Sequence, residues 1–131
     1  MKTKQILFIN TETTGLPAKN IKNITKDNIN KWPHLVALHY KIGTYKQSET
    51  NADNDDNVNR KIITSKSNYL LVKPNKYEIP EESVNIHHIS TKYATENGTE
   101  IKDVLDTLLE DIKTNKIKII ISHNINFHLD I

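Results

Sequence analysis

The chain has 131 residues, no cysteine, 36% hydrophobic and 26% charged residues, and a formal net charge of +2 with a pI near 8.7. That is the size of one domain with one modest core, and the lack of Cys excludes a disulfide framework and thiolate metal sites. Lysines and acids are interspersed, too weak a balance to imply nucleic-acid binding by charge alone. With no apolar run fit for a signal peptide or a membrane span, a soluble intracellular protein with no membrane partner is expected.

Residues 4–10 (KQILFIN) are short, apolar and rich in β-branched and aromatic side chains, which predicts a buried strand. The strand runs into Asn10, Thr11, Glu12, Thr13 and Thr14, and Gly15, Leu16 and Pro17 mark a turn. A buried strand that delivers a carboxylate to its C-terminal end is a common way to build a metal site. Two positions before Glu12, where a second carboxylate would complete such a site, stands Asn10.

Residues 18–33 lack a clear period and read as loop, and residues 35–45 (LVALHYKIGTY) predict a second strand. Residues 47–60 are Asn/Asp-rich and read as a mobile polar insertion in a hairpin. A calcium loop beginning at Asp53 would need Gly at Val58 and Glu at Thr64, so a solvated loop is expected there. A third strand is predicted over 61–73, followed by helical turns at 81–87 and 90–97, the latter stopped by Gly98.

Thr99 is placed to cap the strongest helical pattern in the chain. There Ile101, Val104, Leu105, Leu108, Leu109 and Ile112 recur at steps of three and four as one apolar stripe. The near-continuous apolar run 117–122 (IKIIIS) predicts a central fourth strand, and 123–131 reads as the start of a helix. Three hairpin-connected strands and a helical crossover then put strand four parallel to strand one and beside it. The C-terminal ends of those two strands open on one crevice, the usual ligand position in open α/β sheets. Asn10–Glu12 and His123–His128 are expected to meet there.

These residues carry a resemblance. FINTETTGLP resembles the first motif of the DEDD 3′–5′ exonucleases, the DnaQ-like group of the RNase H-fold superfamily, and ISHNINFHLDI resembles their second motif. YEIPEESVNIHHIST is similar to the family's stretch ending Ile-His-Gly-Ile-Thr, and VLDTLLEDI to its connecting helix. The resemblance covers nearly the whole chain in order. It implies one partial exonuclease-like domain over 1–131: an RNase H-like α/β mixed sheet, incomplete at the C-terminus.

It also implies a chemistry, phosphodiester hydrolysis by two divalent ions, Mg or Mn, held by four acids. Glu12 matches the first motif's Glu, whereas Asn10 stands at its Asp position and His128 at the second motif's Asp; the third motif has no counterpart. His87 matches a family His, and His88 stands where Gly is usual. Thr11, Thr13, Thr14, Gly15, Leu16, His123 and Asn124 fall at positions that touch or support the 3′-terminal nucleotide of a single strand. One acid cannot neutralise two divalent ions, so metal is expected weakly at Glu12 or not at all.

The resemblance thus implies a nucleic-acid-processing domain that has lost catalysis and retains at most nucleic-acid or partner binding. The alternative is an active two-metal exonuclease completed by another chain or a missing C-terminal segment. Partly exposed Ile119, Ile121 and Phe127 are expected beside strand four, where self-association or a partner would cover them.

Overall fold

The computed structural model describes residues 2–16, 25–27, 32–48 and 59–122. Three strands come first: β1 (Lys2–Thr13), β2 (Leu35–Ser48) and β3 (Asn59–Leu71). Three helices follow, α1 (Glu81–His87), α2 (Thr91–Asn97) and α3 (Ile101–Thr114), and then β4 (Ile119–Ile121). The sheet order is β3-β2-β1-β4, antiparallel except that β4 runs parallel to β1. This is the α/β strand arrangement expected from the crossover.

The hairpin strands reach further than the side chains suggested. β2 and β3 pair out to Ser48↔Asn59, so residues 47, 48, 59 and 60 belong to strands rather than to the polar insertion. Ladder hydrogen bonds come from the backbone and continue past the point where side chains turn polar. Residues 49–58 lie outside the described residues, as do most of the 18–33 loop and everything from His123 onward.

Strand alternation divides β1 between two environments. Leu7 and Ile9 join Leu38, Tyr40 and Ile42 of β2 in a cluster closed by Val104 of α3, with Leu108, Ile112 and Ile120 packed against it. Phe8, Asn10 and Glu12 point to the opposite face. Near the end of β1 the ladder slips: Glu12 pairs with Ala37 and Thr13 with Leu35, leaving Val36 as the extra residue of a bulge. Val36 and Ala37 enter a second cluster with Ile79, Ile89 and Ala94, which seats α1 and α2 at this end of the sheet.

Two expectations about the helices need correction. Glu100, not Thr99, is the N-cap of α3, and it makes no side-chain cap bond. Thr99 is committed elsewhere: its N–H donates to the Leu71 carbonyl at 2.8 Å, and its carbonyl accepts from the Lys73 N–H at 2.9 Å. Gly98 does end α2, but with φ −79° rather than in a left-handed turn. A Cβ there would sit 2.4 Å from the Ala94 carbonyl oxygen and 2.6 Å from the Lys73 nitrogen, so it is close backbone approach that requires Gly.

The buried face of α3 is also rotated from the one expected. Val104 is fully buried, while Ile101, Leu105 and Leu109 are 39%, 43% and 53% exposed. The inward line is Val104, Leu108, Asp111 and Ile112, one helical face at steps of four, three and one. Asp111 is buried and its carboxylate accepts from the Tyr40 hydroxyl and, at 2.6 Å, from Lys66 Nζ. Asn68 donates to the Tyr40 oxygen at 3.1 Å. Helix and sheet are thereby bonded at one polar point inside an apolar interface.

β4 is the last strand in the order, so the expectation of a central strand is also corrected. Only Ile119, Ile120 and Ile121 pair, all with β1. Ile120 turns toward α3, whereas Ile119 is half-buried and Ile121 is 45% exposed on the other face. Among the described residues no helix is long and apolar enough to cross a membrane.

The Asp111 network gives a pH signature. Burial raises the Asp111 carboxyl, but hydrogen bonds from Lys66 and Tyr40 outweigh it and hold the group below the usual carboxylate range. Burial, then the bond to Asp111, pushes the Tyr40 hydroxyl from 10 up to about 12. The acid contribution is present above the unfolded carboxylate pKa and is lost as pH falls through the lowered folded value. The tyrosine contribution is complete below pH 10 and is lost as pH rises toward about 12. Asp111→Ala, which strands the Tyr40 donor, is expected to cost about 2 kcal/mol in urea unfolding at pH 7. It should also flatten the acid limb of the stability profile.

Candidate functional site

β1 ends in a turn whose hydroxyls are already occupied. Thr13 Oγ1 donates to the Gly15 carbonyl at 2.7 Å and accepts from the Gly15 N–H at 3.4 Å. The Thr14 N–H donates to the His34 carbonyl at 3.0 Å, and the His34 N–H donates to Thr14 Oγ1 at 2.9 Å. These reciprocal bonds bind the turn to the entry of β2, where the His34 ring stacks on Tyr77 with centroids 4.1 Å apart. Ser83 Oγ of α1 then donates to the Thr14 carbonyl at 2.7 Å and draws the helix up to the turn.

Between turn and helix lies a cleft of about 210 Å³. Its strand side is Thr11, Glu12, Thr13, Gly15 and Leu16, and its helix side is Ser83, Ile86 and His87. The side chains expected along the first segment thus share one cavity, except Thr14, which faces β2 and holds the turn. Leu16 is 83% exposed at the rim, and nothing lies within 4 Å of where a Gly15 Cβ would be, so this stretch of wall is open. Ser83 and Ile86 were not legible as site residues. Their signal is spacing alone: positions 83, 86 and 87 share one face of a short helix.

His87 owes its place to the residue after it. α1 closes at His88, whose φ of 62° and ψ of 23° put it in the left-handed region, and its N–H donates to the Val84 carbonyl at 2.7 Å. That reversal directs the Ile89 N–H onto His87 Nδ1 at 3.1 Å. A ring nitrogen that accepts carries no proton, so the His87 proton sits on Nε2. Nε2 is buried and has no hydrogen-bond partner among the described residues. The cleft wall therefore contains an unsatisfied donor 75 residues downstream of Glu12 in sequence.

Glu12 is half-buried, and Asn10 lies exposed one cross-strand row away beside His39. Tyr69 of β3 lies within electrostatic reach of both Glu12 and Tyr93. Burial first, then the Glu12 carboxylate and Tyr93, raises its hydroxyl pKa. Among the described residues no three of His, Cys, Asp and Glu converge on a point where an ion would be held. Glu12, the Asn10 amide and the His87 ring are one anion and two neutral groups, whereas a two-metal centre presents four positive charges. The described donors do not fit such a centre. His123, Asn124 and His128 lie outside the described residues.

No family model matches the chain, and no curated protein is significantly similar to it.

The left-handed cap is a point of strain for a residue with a Cβ. His88→Gly is expected to add about 1 kcal/mol of stability, seen as a higher urea midpoint with an unchanged slope. The ring proton of His87 should stay on Nε2 in that variant.

Proposed function

We propose that this chain is an exonuclease-like domain of the DEDD, RNase H-like kind that binds the 3′-terminal nucleotide of a single strand in the cleft beside Glu12 and no longer cleaves it. One observation carries the reading. The two segments resembling that family, TETTGL (residues 11–16) and YEIPEESVNIHHIST (residues 77–91), line the same cleft, where Glu12 and His87 are 75 residues apart in sequence. Two further features support it. The strand order with β4 parallel to β1 is the order the resemblance implies. The family's usual Gly falls at His88, where φ is 62° and a residue without a Cβ is favoured.

In this reading Leu16 at the rim packs against the terminal base or sugar. Once a shift of the wall uncovers it, the buried Nε2–H of His87 donates to a phosphate or base oxygen, and the backbone of the turn approaches the nucleotide at Gly15. The loss of hydrolysis follows from charge. With amide at position 10 and imidazole at position 128, Glu12 is the one acid at the three acid positions of the first two motifs, and an amide oxygen coordinates without neutralising. Hard divalent ions such as Mg and Mn are then held weakly, and neither a nucleophilic water nor a leaving oxygen is stabilised. Among the described residues no strand pairs with the outer side of β4, which with the exposed Ile121 supports a partner or second copy adding a strand there.

The purified chain is expected to release no nucleotides from single-stranded DNA or RNA above background with Mg²⁺ or Mn²⁺. Loss of one preorganised electrostatic group costs roughly 10²- to 10³-fold in rate, and two motif acids are replaced here. Asn10→Asp should give Mn²⁺ binding detectable by calorimetry that the native chain lacks. Hydrolysis by the native chain that disappears in Glu12→Ala would contradict the reading and favour an enzyme with substitute ligands.

A further inference from the structure

The face of the sheet opposite α3 is open, and its side chains form rows that lead to the Glu12 cleft. Register places Ile121, Phe8, Lys41 and Ser67 in one row, and Asn10, His39 and Tyr69 in the next. Glu12 heads the row after that. Asn10, Lys41 and Ser67 are exposed, Phe8 and His39 are half-buried, and Tyr69 is 55% exposed. The Tyr69 and His39 rings meet edge to face with centroids 6.0 Å apart, and Ser67 Oγ lies 3.5 Å from His39 Nε2. Phe8, Asn10, His39 and Lys41 line a shallow recess of about 140 Å³.

The strands differ from the helices in charge. The four strands contain seven basic residues and a single acid, Glu12, while the three helices contain seven acids against three lysines. The four acids of α3 lie across the sheet from the open face. Among the described side chains, Lys4 of β1 and Lys41 of β2 alternate onto the open side, whereas Lys46 and Lys66 alternate toward α3.

Aromatic rings with accessible faces, interleaved with cations and amides on a sheet, suit single-stranded nucleic acid, because every base has a π-face and every linkage a negative charge. Such a strand is favoured over a second copy of this chain as the occupant for two reasons. The rows at Phe8 and Asn10 carry lysine and no acid, Glu12 standing only at their cleft end, and the rows run directly into the Glu12 cleft.

We infer that the open sheet face formed by Phe8, Asn10, His39, Lys41 and Tyr69 is a track for single-stranded nucleic acid, on which bases stack at Tyr69 and Phe8 while Lys41 meets the phosphates. The inference rests on the reading of the cleft as the seat of the 3′ end and extends it to the nucleotides that precede that end.

The test is fluorescence anisotropy of the full chain with a labelled 12-nucleotide oligothymidylate at low salt, beside equilibrium dialysis of thymidine 5′-monophosphate. Tyr69→Ala and Lys41→Glu are expected to weaken 12-mer binding about tenfold each, the scale of one lost base stack. Lys41→Glu should also reduce the salt slope by about 0.7, one phosphate contact. Both variants should leave the mononucleotide unaffected, and Lys102→Glu on α3 should change neither.

Binding of the 12-mer that is indifferent to both substitutions would overturn the track. So would mononucleotide binding with no 12-mer gain, while leaving the cleft reading intact. Loss of mononucleotide binding alone, with the 12-mer still dependent on Tyr69, would overturn the cleft reading and keep the track. If Tyr69→Ala instead converts a dimer to a monomer in sedimentation and leaves 12-mer binding unchanged, the face is an interface between copies and the proposal fails.

Discussion

One buried carboxylate decides which face of this sheet is covered. Asp111 holds Tyr40 of β2 and Lys66 of β3 and fixes the rotation of α3, and burying an anion is tolerable because both donors satisfy it. The same network separates the two faces in character. Leu7, Ile9, Leu38 and Ile42 are consumed by packing with α3; of the side chains that alternate the other way on β1 and β2, Ile6 and Ala37 are buried as well, and the polar ones toward the Glu12 end are left for other work. Asn10, Glu12, His39 and Lys41 are that remainder.

The cleft depends on a second, local constraint at the end of β1. The bulge at Val36 bends β2 where Glu12 pairs with Ala37, and the hydroxyl bonds of Thr13, Thr14 and Ser83 clamp the turn between β2 and α1. Each of these groups gives up its hydrogen-bonding capacity to shape. What is left at the wall includes one carboxylate, one exposed leucine and one imidazole donor with no partner among the described residues. A buried unsatisfied donor costs free energy, and a ligand oxygen that accepts from it recovers that cost.

Much of the fold was legible because periodicity is a local property. The apolar runs at 4–10 and 117–122 and the helical spacing from Ile101 identify their elements without reference to the rest of the chain. The rotation of α3 was not legible. The stripe from Ile101 to Ile112 is wide enough to turn inward by either edge, and the choice was made by Asp111 with Tyr40, a partner 71 residues away in sequence. In the site, Glu12 and its flanking turn could be picked out from residue types, but Ser83 and Ile86 could not. The segregation of charge between strands and helices was hidden for the same kind of reason, since a net charge of +2 is a sum that discards position.

The most direct measurement is side-chain ¹⁵N NMR of His87 during titration with a nucleoside 5′-monophosphate. The predicted result is a neutral ring protonated at Nε2 in the free chain, whose Nε2 resonance moves together with the Leu16 methyls and the Glu12 carboxyl carbon as the nucleotide is added. A ring protonated at Nδ1, or cleft signals that stay fixed at millimolar nucleotide, would contradict it.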